Sequence, residues 1–466
     1  MRAGGLVFML VMKVGGTSVG SAQRMEQVVE LTCDSQRIKK APVVVLSAMS
    51  GVTNGLIDGG TLSLKRNLPQ ALAKVDWIRA KHSEAIRSLF KDKAKITELE
   101  AELDKQLDEL RVLYKGVAYL GELSRRSIDS ISGMGELLST RIVAALAQSR
   151  GIKAVWADAR QFVLTDDAFG KATPLWEQTR KLTNQIVKPQ LDNGITVFTQ
   201  GFIGSTVDGV GTTLGRGGSD YSASIIGAAL DAEEIQIWTD VDGMMSADPR
   251  VVPDARLLTE VSFQEASELA YFGAKVLHPL TIKPAVEKKI PVRILNTFNP
   301  DNGGTLIKET ADSGDDTIRA VAAKKNITAI FLNSPRMLMT HGFLAQVFAV
   351  FERHRVPIDL ISTSEVSVAL TIDNKEGFQD LMAELQQFGE VQTMDDVAIV
   401  SVVGRQFRVQ SGIAGRVFKA LSDINIMVIS GGASEINLNF VVASSDADKA
   451  VRQLHAEFFP SLVTSR

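Results

Sequence analysis

Two glycine-rich segments carry the residues best suited to chemistry. Leu10–Gly20 reads LVMKVGGTSVG, so an apolar run ends at Lys13 and Val14, and Gly15, Gly16, Thr17 and Ser18 follow at once. A loop without Cβ atoms lets backbone N–H groups approach a phosphate closely, and a lysine at its mouth adds positive charge. By itself a glycine pair after a strand is no more than a turn. A second segment changes the reading: after an apolar run at Ile195–Phe198 come Gly201 and Gly204, and then Gly215, Arg216, Gly217, Gly218, Ser219 and Asp220 open an Ala/Ile-rich helix. Ser219 or Asp220 is the expected N-cap, and the free N–H groups of such a helix start form an anion site. Arg216 offers a planar fork for a carboxylate or phosphate. The only Gly-Lys pair, Gly170-Lys171, lacks the earlier glycine of a Walker loop and is followed by Ala172, so it is a decoy.

The elements that must position these loops alternate. Strand-like runs at Val43–Ser47, Ala154–Ala157, Ile195–Thr199, Ile235–Thr239 and Val292–Asn296 are separated by helical stretches, which predicts an α/β layer with a mostly parallel sheet. Between Leu68 and Arg150 the chain reads as helical and charged. Ile96, Leu99, Leu103, Leu107, Leu110 and Leu113 keep a three-or-four spacing and form one apolar face, as expected of a helical subregion packed on the sheet.

Composition changes to KETADSGDD at Lys308–Asp316, a polar linker, and an internal repeat follows. Gly342–Leu370 aligns without gaps on Gly412–Phe440 at an offset of 70 residues, with Ser364-Glu365 on Ser434-Glu435. That period is a small domain, not a solenoid unit. Each copy reads glycine loop, amphipathic helix, strand, Ser-Glu turn, alternating strand; Val366, Val368, Leu370 and Ile372 keep the period of two.

The bulk numbers bound the rest. A chain of 466 residues implies about two to four domains. Its net charge of −3 and the lack of a basic stretch argue against nucleic acid. The single cysteine, Cys33, excludes an internal disulfide framework and fits a reducing, cytoplasmic setting. The opening MRAGGLVFMLVM mimics a signal peptide, but it is too short to span a bilayer and runs directly into the Lys13 loop. It is read as a first strand, with the residues before Met9 a ragged extension or the product of an upstream start codon; no membrane partner is expected.

The chain resembles the aspartate kinases of the amino-acid kinase family. The matching blocks are KVGGTS from Lys13, Leu46-Ser47-Ala48 with Thr53-Asn54, Gly135-Glu136, Gly201–Gly204, Leu214–Tyr221, Trp238–Gly243, Ala247–Arg250 and Phe272–Pro279, in order along nearly the whole chain. The resemblance implies an αβα kinase domain over 1–308, a linker at 309–317, and two ferredoxin-like βαββαβ ACT domains. The first would span 327–394, and the second 318–326 with 395–466. It implies that Lys13 and Asp220 are catalytic, with Lys13 on the transferring phosphate and Asp220 orienting it. Val14, Gly15, Gly16 and Thr17 would join Lys13 in cradling phosphates. Thr239, Asp240, Met245, Arg250, Lys275 and Val276 would line the nucleotide side. Many relatives have a tyrosine after the Asp242-Gly243 turn, where this chain has Met244-Met245. Thr53, Glu136, Arg216, Gly217, Gly218 and Ser219 would hold the acceptor, Glu136 meeting its ammonium and Arg216 a carboxylate. Because that acceptor carboxylate is ionised at neutral pH, no strong general base is required.

The implied reaction converts ATP and L-aspartate to ADP and 4-phospho-L-aspartate with Mg2+, the first step toward lysine, threonine and methionine, in a homodimer or homotetramer. ACT pairs commonly bind amino acids at their interfaces. Met337, Thr340, Gly342, Phe343, Leu344, Asp359, Thr363, Ser364 and Glu365 match the effector pocket of lysine-inhibited relatives. Asp359 stands where the second copy has Ile429, and an extra anion suits the extra cation of lysine. Two alternatives stay open: a related kinase acting on glutamate, acetylglutamate or UMP, and an inactive amino-acid sensor on the same scaffold.

Overall fold

A computed structural model describes residues 9–33, 40–272, 277–311, 317–407, 409–432 and 434–460. The chain divides into two compact units. One comprises Met1–Gly243, Thr259–Phe263 and Val276–Ala311; the other comprises Met244–Leu258, Gln264–Lys275 and Asp312–Arg466.

In chain order the first unit begins with β1 (Leu10–Val14), α1 (Ala22–Cys33), β2 (Val43–Leu46) and the helices α2 (Val52–Leu64), α3 (Leu68–Leu89), α4 (Lys93–Leu120), α5 (Arg125–Ser132) and α6 (Met134–Ser149). Then follow β3 (Ala154–Ala157), α7 (Trp176–Ile186), α8 (Lys188–Asp192), β4 (Thr196–Gln200), a hairpin of β5 (Ile203–Ser205) and β6 (Gly211–Thr213), α9 (Gly218–Ala229) and β7 (Glu234–Thr239). Further on lie β8 (Glu260–Ser262), α11 (Lys283–Glu287), β9 (Val292–Asn296) and β10 (Thr305–Lys308), while α10 (Phe263–Phe272), which follows β8, belongs to the second unit from Gln264 onward. Eight strands form one sheet in the order β3-β4-β2-β1-β7-β9-β10-β8, parallel except between β9 and β10. Every residue of β2 and β4 is buried, as parallel strands covered on both faces require.

The apolar face predicted on the charged helical stretch exists. Leu99, Leu103, Leu107 and Leu110 of α4 are buried, with Tyr114 and Val117 extending the stripe, and Ile96 and Leu113 pack against the same cluster. Asp92 caps the helix through the Ala94 N–H, and Gly121 ends it in the left-handed region at φ 66°.

In the second unit β11 (Ile318–Asn333) is followed by α12 (Phe343–Arg353), β12 (Leu360–Thr363), β13 (Ser367–Ile372), α13 (Phe378–Leu385), β14 (Glu390–Gly404), α14 (Ile413–Ala420), β15 (Val428–Gly431), β16 (Asn437–Ala443) and α15 (Ala447–Phe458). The six strands form an antiparallel sheet ordered β12-β13-β11-β14-β16-β15. β11 and β14 are each long enough to serve both copies of the repeat. Their register slips between Lys324 and Ala329, where Asn326 and, across the ladder, Asp396 take positive φ. Before the slip Ile318–Lys324 pairs with the end of β14; after it Thr328–Asn333 pairs with β13 and the start of β14. The cores divide in the same way, one around Val347, Leu370 and Leu381, the other around Val417, Phe440 and Leu454. The glycines that head the repeated helices, Gly342 and Gly412, both cap in the left-handed region at φ 79° and 87°, where a side chain is strained. Part of the polar linker, residues 312–316, and Ala433 of the second copy lie outside the described residues.

Candidate active site

β1, β2, β4 and β7 run parallel as near neighbours, so their carboxyl ends open on one edge, where open α/β sheets bind ligands. Lys13 lies next to the end of β1. Its Nζ stands 2.7 Å from Oδ1 of Asp220, and the two side chains are only 12% and 13% exposed. The lysine of the first glycine segment and the aspartate of the second therefore form one partly buried ion pair.

The N-cap of α9 differs from expectation. Neither Ser219 nor Asp220 caps; Gly217 does, at φ 69°, with no side-chain cap bond, and both residues lie in the first turn. The physical reason is space: a Cβ on Gly217 would stand 2.6 Å from Thr281 Cγ2, so only glycine makes the left-handed turn there. The first turn of α9 is thus left with its N–H groups uncapped by a side chain. Ser219 is engaged elsewhere, where its hydroxyl accepts from Ser47 Oγ at 3.0 Å. Gly201, at the end of β4, permits this approach, since a Cβ there would fall 2.6 Å from Ser219 Cβ.

The first glycine loop is stitched to its neighbours by backbone bonds. Gly15 N–H donates to Trp238 O at 3.1 Å, Ser47 N–H to Val14 O at 3.2 Å and Ser50 N–H to Gly16 O at 3.1 Å. A Cβ on Gly16 would meet Ala48 O at 2.7 Å. Val14 is buried and Thr17 half-buried against this framework, and Ser18 is fully buried.

Glu136 sits in the first turn of α6, is 3% exposed, and accepts from Ala48 N–H through Oε1 at 3.2 Å. Its Oε2 has no hydrogen-bond partner. Burial pushes its carboxyl up to about 8, against the opposing hydrogen bond from Ala48, so the group is mostly neutral at pH 7. Gly135 allows the close packing, since a Cβ there would meet Ala48 Cβ at 2.7 Å. Ser139 Oγ donates to Ser47 O at 2.8 Å and ties the same helix to the end of β2.

The remaining residues expected to hold the acceptor or the nucleotide are placed as follows. Thr53 lies half-buried in the first turn of α2, just after Gly51 at φ 83°. Arg216 is exposed between two positive-φ glycines, Gly215 and Gly217, and makes no ion pair among the described residues. Gly218 is buried, and a Cβ on it would strike Phe202 at 2.6 Å. Thr239 and Asp240 end β7, with Thr239 Oγ1 donating to Asp240 Oδ1 at 3.3 Å. Gly170 belongs to a turn pinned by the Asp129 carboxylate, a structural role that suits its dismissal as a phosphate loop.

The other expected nucleotide residues fall outside this unit or outside the described residues. Met245, bridged to Leu257, and Arg250, whose guanidinium pairs with Asp248 at 2.6 Å, belong to the second unit. Lys275 and Val276 are not among the described residues.

Within the second unit, Met337 and Thr340 lie in the turn before Gly342, and Phe343 and Leu344 begin α12. Thr363 ends β12, and Ser364 and Glu365 turn, exposed, into β13. Asp359 differs from expectation. Its side chain is 2% exposed and its Oδ1 already has a cation, Lys324 Nζ at 2.9 Å, and a hydrogen bond from the Tyr271 hydroxyl. Lys324 also reaches Asp373 at 2.8 Å and stands 4.5 Å over the Tyr271 ring. The extra anion of the first repeat is therefore partly neutralised from within; only Oδ2 lacks a hydrogen-bond partner. Lys324, Tyr271, Ser47 and Ser139 were not assigned from sequence. Ser47 had a signal, a small polar residue at a strand's end; Lys324 had none, because only the β11 register brings it to Asp359.

The Amino acid kinase family model matches residues 8–296, and an ACT domain model matches residues 400–458. The chain is 37% identical to the lysine-sensitive aspartokinase 3 of Escherichia coli, over 97% of this chain and 99% of that protein. The solved structure of E. coli aspartokinase III with aspartate and ADP, in the R-state, superposes with a TM-score of 0.82 at 36% identity, covering 97% of this chain and 100% of that one. The T-state complex of the same enzyme with lysine and aspartate gives 0.79 at 36% identity, over 97% and 99% of the two chains.

Proposed function

This chain belongs to the aspartokinases of the amino acid kinase family, and from that premise we propose that it transfers the γ-phosphoryl group of ATP to the side-chain carboxylate of L-aspartate, releasing ADP and 4-phospho-L-aspartate. The observation that carries the reading is the Lys13–Asp220 pair at the carboxyl ends of the sheet, beside a buried carboxyl at Glu136. The acceptor carboxylate attacks the γ-phosphorus; a new P–O bond forms, and the bond to the ADP oxygen breaks. The nucleophile is already ionised, so the protein positions the groups and neutralises charge. Lys13, held by Asp220, meets the oxygens of the moving phosphoryl group. Gly15, Gly16 and Thr17, with the start of α9, offer N–H groups to the phosphates. Glu136 takes the α-ammonium and Arg216 a carboxylate, with Thr53 and Ser219 completing the acceptor contacts. Thr239 and Asp240 lie on the nucleotide side, to which the resemblance adds Met245, Arg250, Lys275 and Val276.

Magnesium fits as a passenger on the nucleotide. It keeps waters and phosphate oxygens and needs only one or two protein carboxylates. Among the described residues no group of three or more His, Cys, Asp or Glu side chains could cage a metal, while Asp220 stands beside Lys13 to help hold one. The ion would supply further neutralisation of phosphate charge.

The second unit is read as the regulatory ACT pair, with lysine as its effector at the first repeat, using the free Oδ2 of Asp359. The lysine sensitivity of the E. coli relative supports this choice. Among the described residues no helix is long and apolar enough to cross a membrane, and Cys33 is a free cysteine. A homodimer or homotetramer is expected, and light scattering that gave a concentration-independent monomer with and without lysine would contradict it. ADP release measured with aspartate, glutamate, acetylglutamate and UMP, each with and without lysine, threonine or methionine, tests the whole reading. Turnover on aspartate alone, lowered by lysine, is expected. Turnover on another acceptor, or none at all, overturns the reaction, and inhibition by threonine without a lysine response overturns the effector.

A further inference from the structure

We propose that Phe298 is the base-stacking residue of the nucleotide site, a role that rests on the reading of Thr239 and the first glycine loop as that site. Phe298 follows β9 in a short segment anchored both to the end of β7 and to the first glycine loop. Thr297 N–H donates to Thr239 O at 2.9 Å, and Thr297 Oγ1 lies 2.8 Å from Ser18 Oγ in a buried hydroxyl pair. Asn296 Nδ2 donates to Asp242 Oδ1 at 2.7 Å, and Asn299 Nδ2 adds a longer bond to the same oxygen at 3.3 Å. Phe298 N–H itself donates to Asn296 Oδ1 at 2.8 Å. The segment is thus held to the end of β7 on one side and to the phosphate loop on the other.

At the tip of this fixed segment a phenyl ring is 44% exposed. Arg24 lies over the ring with its guanidinium 5.0 Å from the centroid, and its Nη1 donates to Thr17 O at 2.7 Å. With a cation over it, the ring still keeps much of its surface in contact with water, although burying such a side chain is favourable by about 1.5–3 kcal/mol. A purine supplies the missing partner: every base presents a π-face that stacks on an aromatic side chain. The polar groups at the end of β7, Thr239 and Asp240, offer hydrogen bonds but no ring. Phe298 is the aromatic residue placed between them and the glycine loop, and Arg24 adds positive charge on the phosphate side.

Stacking and phosphate binding separate experimentally. Affinities of the purified full chain for MgADP and for inorganic tripolyphosphate are compared by titration calorimetry, in wild type and in Phe298→Ala, Phe298→Trp and Phe298→Leu. The alanine variant should bind MgADP about tenfold more weakly while tripolyphosphate changes by less than about twofold. Tryptophan should restore ADP affinity and leucine should not. Unchanged ADP affinity in the alanine variant overturns the proposal. So does an equal loss for both ligands, which would mean the ring shapes the phosphate loop, and so does full rescue by leucine. A wild-type protein that fails to bind MgADP would overturn the nucleotide-site reading itself, and this inference with it.

Discussion

Glu136→Gln probes the acceptor site most directly, because the structure fixes the sign of several effects at once. The carboxyl is buried, carries one hydrogen bond from Ala48 N–H, and leaves Oε2 without a partner. Burial raises it from 4.5 to about 8, a gap of about 5 kcal/mol between the two protonation states. In the empty enzyme at pH 7 the group is therefore mostly protonated, and ionising it costs on the order of 1 kcal/mol. When an ammonium arrives beside Oε2, the anion becomes the favoured form and a proton leaves. Aspartate should then bind with release of up to one proton, and its affinity should rise roughly eightfold from pH 7 to 8.5, as the ionisation cost disappears. Glutamine keeps the acceptor for Ala48 N–H but cannot become an anion. Leaving the substrate ammonium without its buried counter-charge should cost about 3 kcal/mol at pH 8.5, more than a hundredfold in affinity; at pH 7 the deficit shrinks by about 1 kcal/mol.

The same substitution has a stability signature of opposite sign. A folded-state value raised above the unfolded one contributes stability that is fully present below about 4.5 and is lost as pH rises through about 8. Wild type and Glu136→Gln should therefore unfold at similar temperatures near pH 4.5 and diverge above it, with the variant the more stable at pH 8.5. Calorimetric titration of aspartate in phosphate and in Tris, whose ionisation enthalpies differ, reads the proton release directly. Identical heats in the two buffers at pH 7, or equal aspartate affinity in wild type and variant at pH 8.5, would refute the reasoning.

Lys13→Ala should lower the maximal rate by about 10²–10³-fold or more through lost charge neutralisation, with circular dichroism unchanged; near-normal turnover would sink the catalytic assignment. Arg216→Lys should raise the aspartate KM about tenfold, since a point charge cannot replace a planar fork, and an unchanged KM and kcat would remove Arg216 from the acceptor site. Asp359→Asn should relieve lysine inhibition while uninhibited turnover stays within about twofold of wild type, because the change lies in the regulatory repeat. Lysine inhibition curves that superpose for the two proteins would refute the effector site.

The parts legible in the sequence were those whose signal is local. Strand runs such as Val43–Leu46 and the Leu99–Leu110 stripe announce themselves by burial pattern and period. The repeat announced two modules, and its paired glycines, Gly342 and Gly412, turned out to share one left-handed cap. What the sequence hid depends on register and packing. The register slip that lets β11 serve both copies leaves no compositional trace beyond Asn326 at φ 60°. The cap of α9 was misassigned because Ser219 and Asp220 are good cap residues by type, while the crowding by Thr281 that demands glycine at Gly217 comes from a segment 64 residues away. Lys324 opposite Asp359 was invisible for the same reason.

The charge state of the acceptor site was hidden most deeply, and it bears on specificity. Lys13 and Asp220 cancel each other, and Glu136 is mostly neutral when nothing sits beside it. In the proposed reading the N–H groups of the first glycine loop and of the start of α9 still meet the phosphates, and Arg216 a carboxylate, without a mobile counter-ion. Such a site does not attract ammonium groups through a standing negative charge. On the proposed reading it becomes anionic at Glu136 only when an ammonium is delivered together with a carboxylate that Arg216 would hold in place. An N-acylated acceptor lacks that cation. With it, Glu136 stays protonated, Oε2 gains no charged partner, and about 3 kcal/mol of attraction is absent. If Glu136 takes the ammonium as proposed, discrimination between a free and an acylated amino acid follows from one buried carboxyl, and it should weaken in Glu136→Gln, where neither ligand meets an anion.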